Sequence, residues 1–181
     1  TASYIEMNEW TLPAPAANAY ADLVEREKRA GAYGVSKAFV RGGIWKNFVA
    51  RYPEANWMHK RMLALSERLA RLPSAQRTEP MHALLYTAQA NDAYWHGLFG
   101  GLYLPHLRRA VYAALLELER MLDQIEPRPA NQCVDLDLDG IDELFLRNAV
   151  LQAVVKLDGS AAILELDAYA LSQNFGDTLR R

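Results

Sequence analysis

A single cysteine, Cys133, stands in the 181 residues. That excludes an internal disulfide and a cysteine-based metal cluster, and nothing argues for an oxidising compartment, so cytoplasm is the default location. No run of 18 apolar residues occurs, and Thr1-Ala2-Ser3-Tyr4 has neither a basic region nor an apolar signal core. Neither a membrane span nor a membrane partner is expected. Charge of one sign is missing too: 20 basic residues against 22 acidic ones leave a formal charge of -2 without a long Lys/Arg run, and no nucleic acid partner is expected. The histidines His59, His82 and His106 are scattered, with no His-x-x-x-His pair, and there is no Gly-x-Ser-x-Gly elbow or phosphate-binding glycine loop. Metal catalysis, triad hydrolysis and nucleotide chemistry have no foothold, so no metal and no cofactor is expected. The missing initiator methionine raises the expectation that the sequence starts inside a longer chain.

What is present is an ordinary globular composition, 51% hydrophobic and 23% charged, with enough length to bury one good core or two small ones. Tyr4 to Trp10 is too short and mixed to assign by periodicity. Leu12-Pro13-Ala14-Pro15 then leads into a helix over about Ala16 to Ala30, closed by Gly31 and Gly34. An apolar and aromatic stretch, Ile44 to Tyr52, stops at Pro53, where a new helix begins. Met58, Met62, Leu65, Leu69 and Leu72 recur at spacings of four and three, one packed face, with Lys60, Arg61, Glu67, Arg68 and Arg71 largely on the wet side. A third helix is expected from about Pro80 to the Asn91-Asp92 pair. The longest follows Pro105, with Leu107, Val111, Leu115, Leu118 and Met121 as its stripe.

At Pro127-Arg128-Pro129 the pattern changes. Val134, Leu136 and Leu138 alternate with Asp135, Asp137 and Asp139, the period of a strand. Leu144 to Asn148, Gln152 to Leu157 and Ala161 to Leu166 read as further strands, with a hairpin turn at Asp158-Gly159. The fold expected is mainly α: an antiparallel helical bundle followed by a small antiparallel β segment, an incomplete sandwich whose apolar face wants a second sheet or the helices as cover. Three segments follow: 1–15 as a lead-in, 16–128 as the bundle and 129–181 as the start of a β-rich domain.

Three constellations could carry chemistry. In Asn91-Asp92-Ala93-Tyr94-Trp95-His96-Gly97, an acid, an amide, an imidazole and two rings crowd into six positions near a helix end. A saccharide asks for such a mixture, because an indole covers the apolar face of a pyranose while Asp and Asn meet its hydroxyls. Asp92 and Trp95, three apart, share a face if the helix continues through them. The bland alternative makes Tyr94 and Trp95 core rings and Asp92 a cap. Glu6-Met7-Asn8-Glu9-Trp10 offers carboxylates beside a tryptophan, and Glu6, Glu9 and Asp92 could supply the two carboxyl groups of a glycosidase if folding joins them; otherwise they are surface charges. Asp135-x-Asp137-x-Asp139-Gly140 copies half of a calcium loop. Leu146 stands where the bidentate Glu belongs, which excludes an EF-hand and leaves a different loop using Glu143, or a plain strand with a solvated acidic face.

Four stretches together resemble the α-amylase and 4-α-glucanotransferase branch of glycoside hydrolase family 57. They are Ser3 to Trp10 (SYIEMNEW), Phe39 to Phe48 (FVRGGIWKNF), Tyr52-Pro53-Glu54 leading to Met58-His59-Lys60-Arg61-Met62, and Gln89 to Gly97 (QANDAYWHG) continuing through Phe99 to Arg108. Asp139-Gly140 and Glu165-Leu166-Asp167 resemble the family's next domain more loosely. Ala90 departs from the cysteine expected in many relatives. The resemblance implies part of a retaining enzyme that cleaves α-1,4-glucan and passes the glucosyl chain to water or another sugar. The nucleophile and acid/base would lie in an incomplete (β/α) barrel domain upstream, and no position here matches those motifs, so no catalytic residue is assigned. It also implies that Asp92 and Trp95 line the glucan cleft, that Trp10 is a further platform, and that Glu9, Asn91 and His96 are their neighbours. The expected partners are an α-1,4-glucan or maltooligosaccharide and the barrel of the same protein. A non-catalytic glucan-binding or assembly module is the alternative.

Overall fold

The structure, a computed structural model, describes residues 5–95 and 100–179. They fall into two compact units, Thr1–Pro53 and Glu54–Arg181.

In the first unit the segment left unassigned above is a short helix, α1 (Ile5–Trp10), followed by α2 (Ala14–Arg29), α3 (Tyr33–Ser36) and α4 (Trp45–Arg51). Prolines at the entry of α2 fit its start, where the missing amide would have had no partner anyway. The aromatic stretch from Ile44 forms α4 because Phe48 buries between Trp45, ring centroids 5.4 Å apart, and Tyr52 at 4.7 Å. Gly42 and Gly43 let this segment lie directly against α1: the Gly43 amide donates to the Asn8 carbonyl at 2.8 Å, and a Cβ on Gly42 would sit 2.3 Å from that same oxygen. Only glycine permits so close an approach.

The second unit holds α5 (Pro53–Arg71), α6 (Glu79–Ala88) and α7 (Pro105–Ile125). The predicted stripe of α5, Met58 through Leu72, is buried throughout. Arg61 pairs with Glu119 and Arg68 with Asp123, so α5 and α7 run the same way, while the end of α6 returns beside α5, where the Gln89 amide reaches the Met62 sulfur at 3.7 Å. The helix expected to reach Asn91-Asp92 ends at Ala88; Asn91–Ala93 is a separate 3-10 turn. Asp92 and Trp95 therefore do not share a helix face.

Five strands make an open antiparallel meander: β1 (Asn131–Val134), β2 (Glu143–Arg147), β3 (Leu151–Lys156), β4 (Ile163–Ala168) and β5 (Gln173–Asn174). β1 is shorter than the alternation of Val134, Leu136 and Leu138 predicts. The aspartates past Val134 turn their carboxylates onto backbone amides of their own segment, Asp135 accepting from Gly140 at 2.9 Å, which competes with strand pairing. The sheet's two faces are assigned opposite to habit. Residues 143, 145, 152, 154, 165 and 167 are buried, and four of those six are Glu143, Gln152, Glu165 and Asp167. The other face is apolar: Leu146 pairs with Ala153 and Ala153 with Leu166, and both leucines are exposed.

Candidate functional site

Asn91 and Asp92 lie exposed on the 3-10 turn after α6, and Trp95 follows them partly exposed. The turn is anchored from beneath. Tyr94 is buried, its hydroxyl donates to the Ala88 carbonyl, and its ring meets His59 edge-on at 6.2 Å. Burial pushes the Tyr94 hydroxyl far above its ordinary range, so it stays a donor. On the far side the Leu102 amide donates to the Trp95 carbonyl at 2.8 Å. Gly101 sits at φ +47°, and a Cβ there would come within 1.8 Å of that carbonyl. The two neighbouring rings thus divide their roles: Tyr94 is core, as the bland reading had it, and Trp95 is not. A partly exposed indole beside an acid and an amide can take a sugar ring. His96 lies outside the described residues.

Glu9 and Trp10 are half-buried at the end of α1, in the first unit. Arg51 of α4 fixes that end by donating to the carbonyls of Trp10, at 2.9 Å, and Leu12. Glu6 also lies on α1.

Sequence reasoning missed a second group, a layer of charge between the helices and the sheet. Arg61, assigned above to the wet side of α5, is 2% exposed. Its guanidinium donates to both Glu119 oxygens, at 2.8 and 3.2 Å, and both Glu165 oxygens, at 3.1 and 3.2 Å. The Trp57 indole N–H adds a bond to Glu165 at 2.6 Å. Glu119 also accepts from Arg128, Tyr169 and Gln152, and Gln152 reaches Asp167 at 2.9 Å. A signal did exist in the helices. Arg61 falls four residues after Trp57 and four before Leu65, and Glu119 four after Leu115 and three before Leu122, so both sit on packed stripes.

The layer divides its protons unequally. Burial would raise the Glu119 carboxyl, but Arg61 and Arg128 outweigh it and hold the group well below the usual carboxylate range. For Asp167 burial and the adjacent Glu165 charge win over Arg61, and the carboxyl is pushed far up. Near neutral pH the folded state therefore keeps a proton on Asp167 that the unfolded chain releases above about pH 4. This contribution weakens the fold as pH rises from there toward the raised folded value. The neutral isostere Asp167→Asn should accordingly gain stability relative to the parent between pH 5 and pH 8, read as urea midpoints. A difference that does not change with pH would show that Asp167 holds no such proton.

Residues 43–122 match the family model described as the alpha-amylase/4-alpha-glucanotransferase middle domain, and residues 135–181 match the C-terminal domain of the same family. Over 180 residues the chain is 46% identical to an alpha-amylase of Pyrococcus abyssi and 43% identical to a 4-alpha-glucanotransferase of Thermococcus litoralis. In each case 99% of this chain aligns with 26% of the relative, so the chain spans about a quarter of those proteins. The crystal structure of the 4-alpha-glucanotransferase from Thermococcus litoralis superposes with a TM-score of 0.79, covering 99% of this chain and 27% of that one. No described helix is long and apolar enough to cross a membrane. With its bundle and its open sheet each matching in chain order, this chain belongs to the alpha-amylase/4-alpha-glucanotransferase family.

Proposed function

We propose that the chain is part of a cytoplasmic α-1,4-glucan-processing enzyme of the glycoside hydrolase family 57 type, an α-amylase or 4-α-glucanotransferase. It contributes substrate-cleft residues and not the catalytic pair, which a barrel domain of the same protein supplies. Segments 1–15, 16–128 and 129–181 serve as the end of the barrel or a lead-in, the helical domain and the start of the β-rich domain. The observation that carries this reading is the partly exposed Trp95 beside exposed Asn91 and Asp92, on a turn anchored by Tyr94 and Gly101. The indole is the sugar platform and Asp92 and Asn91 bind hydroxyls, with His96, outside the described residues, as a further candidate contact; Trp10 and Glu9 form another. The lone Cys133 suits the compartment. The rival reading is a glucan-binding module that breaks no bond in any context.

Trp95→Ala should weaken maltoheptaose binding about tenfold, in line with the loss of one stacking contact of about 1.4 kcal/mol, and leave the Tm within about 2 °C. A much larger fall in Tm would identify the ring as core packing, since truncating a buried Trp costs about 3 to 5 kcal/mol. Maltoheptaose incubated with the chain should emerge unchanged from chromatography. Products that disappear in a Glu9→Gln variant would instead place the catalytic pair in this chain.

A further inference from the structure

We propose that the turn between β1 and β2 is a divalent-cation site of the calcium class, held by the carboxylates of Asp135, Asp137 and Glu143. One carboxylate oxygen from each of the three lies within 4.8 Å of the others. Oxygens around a single Ca2+ at about 2.3 to 2.6 Å can stand up to about 5 Å apart, so the ion fits with little movement.

Closeness of acids alone would be weak evidence, and Glu143 supplies the independent observation. It opens β2 on the helix-facing side and is 0% exposed. Its Oε2 accepts the Leu136 amide at 2.9 Å, which fixes the carboxylate inside the turn. Its Oε1 is buried and accepts no hydrogen bond among the described residues. A buried carboxylate oxygen without a partner is costly, and native folds rarely leave one. A cation between Glu143 and the two aspartates removes that cost and their mutual repulsion together.

The rest of the turn is already shaped. Asp135 accepts the Asp139 and Gly140 amides at 3.1 and 2.9 Å, Asp137 accepts the Asp139 amide at 3.1 Å, and Asn56 of α5 donates to the Asp137 carbonyl at 2.9 Å. Lys156 stands at the rim, paired with Asp139 and 3.8 Å from Asp137. One ammonium is thus set against the carboxylates of Asp135, Asp137, Asp139 and Glu143, and it makes no hydrogen bond to Glu143 Oε1. All-oxygen ligands select a hard cation, and an irregular turn suits the variable coordination of calcium better than the strict octahedron of magnesium. The ion would pin the β1–β2 turn to α5.

Calorimetric titration of the full chain, stripped with EDTA and given CaCl2, tests this. One site with Kd of about 10⁻⁵ to 10⁻³ M is expected, weaker for MgCl2, and at saturation a Tm rise of about 5 °C or more. Glu143→Gln should lower the affinity at least tenfold, with Asp137→Asn giving the same reading should that variant fail to fold. Lys156→Gln, which removes the competing ammonium, should raise it several-fold. Absence of both heat and Tm shift at about 10 mM Ca2+ overturns the proposal, as does binding that both carboxylate variants leave intact.

Discussion

Arg61→Met is expected to cost the second unit about 3 to 5 kcal/mol, enough to unfold many domains of this size. The guanidinium spans two carboxylates that are each 0% exposed, Glu119 on α7 and Glu165 on β4. Removing it leaves Glu165 with only the Trp57 indole and its neighbour Asp167, while Glu119 keeps Arg128. Most of the loss is thus an uncompensated buried charge and not a missing contact. Two companions separate these causes. Arg61→Lys keeps the charge but not the fork that meets four oxygens, so an intermediate loss is expected. Arg61→Met combined with Glu165→Gln should be more stable than Arg61→Met alone, because the second change neutralises the stranded carboxylate. Urea unfolding of these proteins together with the single variant Glu165→Gln closes the cycle. A loss below about 1 kcal/mol for Arg61→Met would mean that water reaches the layer.

Gly101→Ala is the second large effect, at least about 2 kcal/mol, with loss of maltoheptaose binding comparable to that of Trp95→Ala. The added carbon would meet the Trp95 carbonyl at 1.8 Å and stand 3.1 Å from the Asp92 carbonyl, on a backbone already at φ +47°. Relief requires breaking the Leu102–Trp95 hydrogen bond and displacing the turn that carries Asn91 and Asp92. Gly140→Ala is the control. Its φ of +91° imposes backbone strain, but nothing lies within 4 Å of the new carbon. A calorimetric scan showing equal losses at the two positions would mean that strain, and not collision, makes Gly101 necessary.

The helices and strands were legible where periodicity and chain breakers agree. Met58 to Leu72 placed α5, Pro105 placed the start of α7, and Asp158-Gly159 marked the β3–β4 turn. What alternation cannot supply is which face of a strand goes inward, since a period of two is symmetric. In β4, Leu164 and Leu166 alternate with Glu165 and Asp167, and habit sends the acids outward. Arg61 reverses that choice by offering a buried cation across the interface. The third helix was read too long for a different reason: Asn91 and Asp92 form their own turn instead of extending α6. Composition singled out Asn91 to Gly97 as the candidate segment. Only the fold separates Tyr94, buried and tied down to Ala88, from Trp95, tied at its carbonyl and partly exposed.

The polar layer has a bearing on how the second unit responds to heat. Exposing apolar surface on unfolding raises the heat capacity, whereas exposing polar surface lowers it. A sheet that turns Glu143, Gln152, Glu165 and Asp167 inward sets a negative contribution against the positive one from the leucine-rich helices. The resulting curve of stability against temperature is flatter than an all-apolar interior of equal size would give. The cost of dehydrating Arg61, Glu119 and Glu165 also shrinks on warming, as ion hydration becomes less favourable. The same residues that burden the interior at room temperature therefore broaden the range over which it stays folded.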